Sequence, residues 1–348
     1  MTVQHSSLGP ATLAQPRPTP PPALELPNPA AEIDRIAGRL REILATSLER
    51  RGLVIAISGG VDSAVCAGLA VAAVGPKRVF GLLLPERDSD PESTRLGRLV
   101  ATRFGIPFVV EEIEPTLAAA GCYELRDAAI RRVVPEFGAG WRSKIVMPSG
   151  EREGDRLSVP MLVVQPPNGE PRRVVLPAGE YREIVAATNF KQRIRKMREY
   201  FHADRLHYAV VGTPNRLEYD QGFFVKGGDG LADVKPIAHL YKSQVYQIGE
   251  VLGVPAEILR RTPTTDTFSL PQTQEEFFFG VPLPLLDALI QALDAGRTAA
   301  DTGAALGLDP ERVERIWRDI AGKRATTRYL HLPAQLIDPV PLADDREP

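Results

Sequence analysis

The chain has 348 residues, 43% of them hydrophobic and 25% charged, with a formal net charge of -2. That composition is globular, long enough for one large domain or two small ones, and too near neutral for a nonspecific nucleic-acid binder. No apolar run is long enough to span a bilayer, no basic stretch followed by an apolar core opens the chain, and the two unpatterned cysteines, Cys66 and Cys122, exclude a thiolate zinc site and suit the reducing cytoplasm.

In chain order, residues 1–30 are rich in proline and poor in large apolar residues and read as a disordered tail. Ile33, Ile36, Leu40, Ile43 and Leu44 recur near every 3.6 residues and predict a helix. LVIAIS (53–58), VFGLLLP (79–85) and PFVVEEI (107–113) are apolar runs that predict buried parallel strands, alternating with helices after Gly60 and over 91–105. Residues 135–188 break the alternation with Gly, Pro, Arg and Val, and read as a β-rich insertion with a hairpin turn at Asn168-Gly169. A basic amphipathic helix (KQRIRKMREYF), a fourth strand (207–213), a glycine-rich loop (222–230), a helix over 242–253 and a helical last third follow. The expected class is α/β: a doubly wound parallel sheet, with a β-rich insertion and a helical C-terminal part.

The hexapeptide SGGVDS (58–63) stands between a buried strand and a helix. Its small residues let the backbone curl around an anion, and the helix start adds free amides and a positive dipole end. Ser58, Gly59, Gly60 and Ser63 suit phosphate, whereas Asp62 would repel it unless a divalent cation lay between them, so Mg²⁺ is expected. No lysine follows the glycines, which excludes a Walker A loop.

SGGVDS resembles the signature of the ATP pyrophosphatase (PP-loop) enzymes. Residues 189–233 (NFKQRIRKM, then GTPNRLEYDQGFFVKGGDGLAD), PIAHLYKSQV, PTTD and QEEFFFGVPLPLLD are similar, in that order, to the elements of NAD synthetases. The resemblance covers residues 32–118 and 189–330. It implies ATP-dependent amidation of deamido-NAD by ammonia through an acyl-adenylate, giving NAD, AMP and pyrophosphate.

For this chain the resemblance implies metal binding by Asp62 and Glu218 and ATP contacts from Ser58, Gly59, Gly60, Asp62, Ser63, Thr213, Lys242 and Thr264. It implies substrate contacts from Asn189, Arg193, Lys226, Asp229 and Asp233, and catalytic roles for Asp62, Lys226, Asp229 and Lys242. Residue by residue, a plainer reading stands beside this one: Arg193 and Arg195 as the solvated face of a helix, Asp229 and Asp233 as turn formers. The family context further implies ATP and Mg²⁺ as cofactors, deamido-NAD and ammonia as partners, a cytoplasmic homodimer, and ammonia taken free or from a separate glutaminase, with no nucleic acid and no membrane.

The sequence departs from the pattern at Glu86, where the glutamine-dependent branch has a serine, at Gly227, where an aromatic is usual, and at Thr265 and Thr267. The organisation expected is a tail over 1–30, a PP-loop domain over 31–332 holding the insertion at about 135–188, and a tail over 333–348. Because the insertion feeds into Asn189 and Arg193, it is expected to act on the dinucleotide and not on ATP. Three alternatives follow from the same residues: a related amide ligase for another carboxylate, a tRNA-modifying PP-loop enzyme, and a nucleotide-binding regulator without turnover.

Overall fold

The structure, a computed structural model, describes residues 24–147, 160–265 and 267–340. Most of the expected N-terminal tail (1–23), part of the insertion (148–159), Asp266 and residues 341–348 lie outside that range. The end of the N-terminal tail is already docked, which shortens the expected disordered stretch. Leu24 is fully buried, and the Gln247 side chain accepts from the Leu26 amide (2.8 Å) and donates to the Leu24 carbonyl (3.1 Å).

Helix α1 (Pro29–Glu42) starts where Asn28 caps the Ala31 amide and Pro29 needs no donor. It buries Ile33, Ile36 and Leu40, the apolar stripe of the sequence, and runs into a π-helical turn at Ile43–Ser47. Then come β1 (Leu53–Ala56), α2 (Val61–Val74), β2 (Val79–Leu83), α3 (Pro91–Arg103), β3 (Phe108–Val110), α4 (Glu114–Ala119) and α5 (Cys122–Val133). Three further strands, β4 (Arg142–Val146), β5 (Met161–Gln165) and β6 (Arg172–Val175), precede the long helix α6 (Ala178–Leu206) and the short strand β7 (Ala209–Val210). Helices α7 (Arg216–Gln221), α8 (Lys242–Leu252), α9 (Ala256–Arg260), α10 (Leu283–Asp294), α11 (Ala299–Leu306) and α12 (Pro310–Thr327) make the remainder helical, as expected.

The main sheet is parallel, in the order β3-β2-β1-β7, with Leu53 level with Val79 on one side and with Ala209 on the other. Alternate residues of β1 feed two cores. Leu53 and Ile55 pack under α1, α2 and α8, while Val54 packs toward α4, α5 and α6 with Leu82, Leu117 and Ile194. The chain lays β2 and β3 outward on one side of β1 and returns to lay β7 on the other. In such a sheet the ligand crevice opens at the carboxyl ends of the strands flanking this reversal.

β4, β5 and β6 form a separate antiparallel sheet, and β5–β6 is the hairpin expected around Asn168-Gly169. The insertion ends earlier than expected. Residues 178–188 are the first three turns of α6, and Ile184 packs in the core that this helix shares with Ile145, Leu162 and Val164 of the small sheet. Arg172 pairs with Glu136 on an exposed face.

Candidate active site

A cleft of about 480 Å³ opens at the carboxyl ends of β1, β2 and β7. Its walls bring together residues far apart in sequence: Ser58, Asp62, Thr213, Glu218, Asn189 and Arg193. Lys226, Asp229 and Thr264 line it as well.

The 58–63 loop has the geometry its composition demands. Gly59 sits at φ +78°, and a Cβ there would lie 2.5 Å from the Ser93 carbonyl oxygen, so only glycine fits both the turn and the approach of α3. The Ser58 amide donates to Ser63 Oγ (3.2 Å), the two serine hydroxyls lie 3.0 Å apart, and Ser63 Oγ donates to the Gly60 carbonyl at 3.0 Å. The loop is thus closed on itself, with the start of α2 facing the cleft.

Asp62, on the first turn of α2, is held from two directions. Its Oδ2 lies 2.5 Å from Lys242 Nζ and its Oδ1 accepts from Asn215 Nδ2 at 3.0 Å. Lys242 opens α8, whose first amides donate to the buried Asp287: Lys242 N at 3.2 Å and Ser243 N at 2.8 Å. Asp287 therefore caps α8 and aims Lys242. Lys242 lies behind Asp62, away from the cleft lining, and is almost wholly buried. Burial disfavours its ammonium, yet the Asp62 and Glu218 charges hold it above its ordinary range.

Glu218 belongs to a capping box at the start of α7. Asn215 Oδ1 accepts from the Leu217 and Glu218 amides (3.0 and 3.2 Å), and Glu218 Oε2 accepts from the Asn215 amide (3.1 Å). Its other oxygen accepts from Gln274 Nε2 at 2.8 Å. Burial, and next the Asp62 charge, push its carboxyl up to about 7. Two carboxylates offset by one lysine leave surplus negative charge, and each Glu218 oxygen carries one donor with lone-pair capacity to spare. This donor set fits a hard divalent cation with oxygen ligands. Among the described residues no group of three or more His, Cys, Asp or Glu gathers to hold a metal, so remaining ligands would have to come from bound phosphate or water.

Lys226 reaches the C-terminal segment, donating to the Tyr329 (2.9 Å) and Leu332 (3.1 Å) carbonyls, and Arg193 Nε donates to the Lys226 carbonyl at 3.3 Å. Asp229 accepts from the Val225 amide at 2.8 Å, and burial raises its carboxyl above the usual range. Asp233 is the one expected substrate contact that the fold does not bring to the cleft. Its oxygens are taken by Tyr200 Oη (3.1 Å) and the Val210 amide (2.7 Å), which ties α6 to β7.

Of the two arginines read as a solvated face, Arg193 is exposed and Arg195 is half-buried, donating to the Leu84 carbonyl at 3.3 Å. The departure at Glu86 has a structural account. Glu86 turns inward onto Lys191 Nζ (2.9 Å) and Tyr123 Oη (2.8 Å), leaving Pro85 and Ser89 to face the cleft. Sequence reasoning missed Asn215 and Gln274. The N-x-x-E spacing of a capping box was a signal for Asn215, but nothing local marked Gln274.

With this geometry in place, the NAD synthase family model matches residues 32–151 and 175–327. The chain belongs to the NAD synthase family. It is 59% identical over 311 residues to the NH(3)-dependent NAD(+) synthetase of Rhizobium meliloti (strain 1021), covering 89% of this chain and 92% of that protein. Among solved structures, NMN synthetase from Francisella tularensis superposes with a TM-score of 0.61 at 22% identity, over 89% of this chain and 98% of that one. The NH3-dependent NAD synthetase from Campylobacter jejuni gives 0.57 at 19% identity, over 89% and 100%. These two likenesses show the fold, and that fold is the doubly wound sheet expected from the sequence.

Proposed function

We propose that the protein amidates deamido-NAD with ammonia at the expense of ATP. The observation that carries this reading is the Asp62–Lys242–Glu218 constellation at the end of an SGGVDS loop, in a chain 59% identical to an NH(3)-dependent NAD(+) synthetase. A carboxylate oxygen of the nicotinate ring attacks the α-phosphorus, the bond from that phosphorus to the bridging oxygen breaks, and pyrophosphate leaves. Ammonia then attacks the acyl carbon of the adenylate, AMP departs with the bonding electron pair, and the nitrogen loses a proton. No protein nucleophile is needed, so catalysis rests on positioning and on stabilising charge.

The loop residues Ser58, Gly59, Gly60 and Ser63 cradle the ATP phosphates, with Thr213 and Thr264 donating hydroxyls from the facing walls. Asp62 and Glu218 would hold Mg²⁺, which would supply positive charge to the phosphate oxygens. Lys242 orients Asp62 through their ion pair. Asn189 and Arg193 on α6, with Lys226, receive the dinucleotide, and Lys226 must leave the Tyr329 and Leu332 carbonyls to do so. Asp229, buried enough to accept a proton more readily than an ordinary aspartate, holds ammonium and takes its proton.

The same reading includes a homodimer, which the exposed Met197 and Phe201, one turn apart on α6, support. It also includes a cytoplasmic setting, which the two free buried cysteines support.

The test is a coupled assay with ATP, Mg²⁺, ammonium and deamido-NAD. Asp62→Asn, which keeps the shape and removes the charge, should lower turnover by about two to three orders of magnitude with the circular dichroism spectrum unchanged. Turnover in that variant near the parental rate would remove Asp62 from the mechanism.

A further inference from the structure

We propose that the β4–β5–β6 sheet fixes the nucleotide and metal wall of the cleft through two positioning residues, Gln272 and Gln274, which set Thr265 and Glu218. This rests on the reading of Glu218 as a metal ligand.

From sequence the insertion was expected to serve the dinucleotide; the small sheet does pack on α6 through Ile184, and its described residues also reach a second wall of the cleft. Strand β4 docks on residues 269–276: the Ser143 amide donates to Ser269 Oγ (2.9 Å) and the Leu270 amide to the Ser143 carbonyl (3.2 Å). Lys144 Nζ reaches the Pro271 carbonyl (3.0 Å) and Glu276 (3.0 Å), and the Met147 amide donates to the Glu276 carbonyl at 3.0 Å. Phe268 and Leu270 plug apolar pockets of the small sheet, against Ile145 and Leu162 and against Val146 and Val163. The hairpin strands β5 and most of β6 lie in the stretch that the family model skips; β5 pairs with β4 along its length, and β6 pairs with β5. The skipped hairpin therefore braces a strand that the family model does match.

Two amides carry this position into the site. Gln272, 3% exposed, donates through Nε2 to the Ile145 carbonyl of β4, and its Oε1 accepts from Thr265 Oγ1 at 3.0 Å. Its own carbonyl accepts from the Thr265 amide at 3.2 Å, so the side chain and backbone of one residue link β4 to the Thr264–Thr265 lip. Two residues on, Gln274 donates to Glu218 Oε1 at 2.8 Å. A neutral amide suits this place, because it orients a carboxylate through one donor and leaves its charge for a cation, whereas lysine or arginine there would cancel that charge.

The test measures Mn²⁺ binding by electron paramagnetic resonance in the full-length protein, with α,β-methylene-ATP present, alongside calorimetry of deamido-NAD binding. Gln274→Met should weaken Mn²⁺ binding about tenfold or more, the usual effect of removing a partner of a metal ligand, while deamido-NAD affinity stays within about twofold of the parent. Gln272→Met should weaken the ATP analogue severalfold with the same sparing of the dinucleotide. Should Gln274→Met fail to fold, Gln274→Asn, one methylene too short to reach Glu218, is expected to give the same loss of Mn²⁺. Parental Mn²⁺ affinity in the Gln274 variants, with Mn²⁺ lost in Glu218→Gln, overturns the positioning role alone. Parental Mn²⁺ affinity in Glu218→Gln overturns the metal reading beneath it, and loss of dinucleotide affinity in place of Mn²⁺ affinity returns the sheet to the substrate side.

Discussion

Glu218 shows how a single side chain couples folding to ligand binding. A carboxyl whose folded pKa lies above its unfolded value contributes most to stability below the unfolded value, 4.5, and loses that contribution as pH rises through about 7. Above that pH the cleft holds two carboxylates against one lysine, which leaves a net negative charge that a bound cation relieves. The stabilisation conferred by Mg²⁺ with ATP should therefore be larger at pH 8 than at pH 6, readable as a larger rise in the thermal midpoint, with ~1 kcal/mol worth roughly 2 °C in a chain of this size. A rise that stays level or shrinks between those pH values would contradict a cation on Glu218. At this scale Asp62, Glu218 and Lys242, which the fold brings together, were legible in the sequence through the family motifs that contain them. Asn215 and Gln274 act only as partners, and their spacing to Asp62 and Glu218 is set by the fold.

Among the elements, α6 does the most to assemble the cleft. It runs from beside the small sheet to the foot of β7 and carries Asn189 and Arg193 on its cleft side. Lys191, between them and fully buried, bonds Glu86 and Asp88 of the loop after β2 (2.9 and 2.7 Å) and the Thr267 carbonyl (2.7 Å). Arg126 of α5 completes the cluster at 2.5 Å from Asp88. One ammonium thus joins three walls. Lys191→Met should cost about 3–5 kcal/mol, because it leaves buried carboxylates short of a partner, and urea unfolding would measure it. A loss under about 1 kcal/mol would mean that Arg126 alone satisfies the loop. The helix itself was legible from Asn189 onward. Its first three turns were read as insertion because the glycine- and proline-rich stretch before them masks the start of the helical pattern.

At the scale of the whole molecule, the nitrogen source follows from what the fold leaves accessible. Both cysteines are buried and free, and burial raises both thiols, so neither is placed to attack glutamine. Ammonium should therefore support turnover of the purified chain and glutamine should give only a few per cent of that rate or less. Full turnover on glutamine would defeat this account. The sequence by itself determined the parallel sheet, the small-residue loop at the end of β1 and the family, because these depend on local periodicity and on short motifs that carry their own geometry. Only the tertiary structure decided that Asp233 braces α6 against β7, that Glu86 faces Lys191, and that β4, braced by the inserted hairpin, grips the segment beside Glu218. Those outcomes are contacts between residues tens to more than a hundred positions apart, and they depend on which surfaces the packing of α6 and the small sheet brings within hydrogen-bond reach.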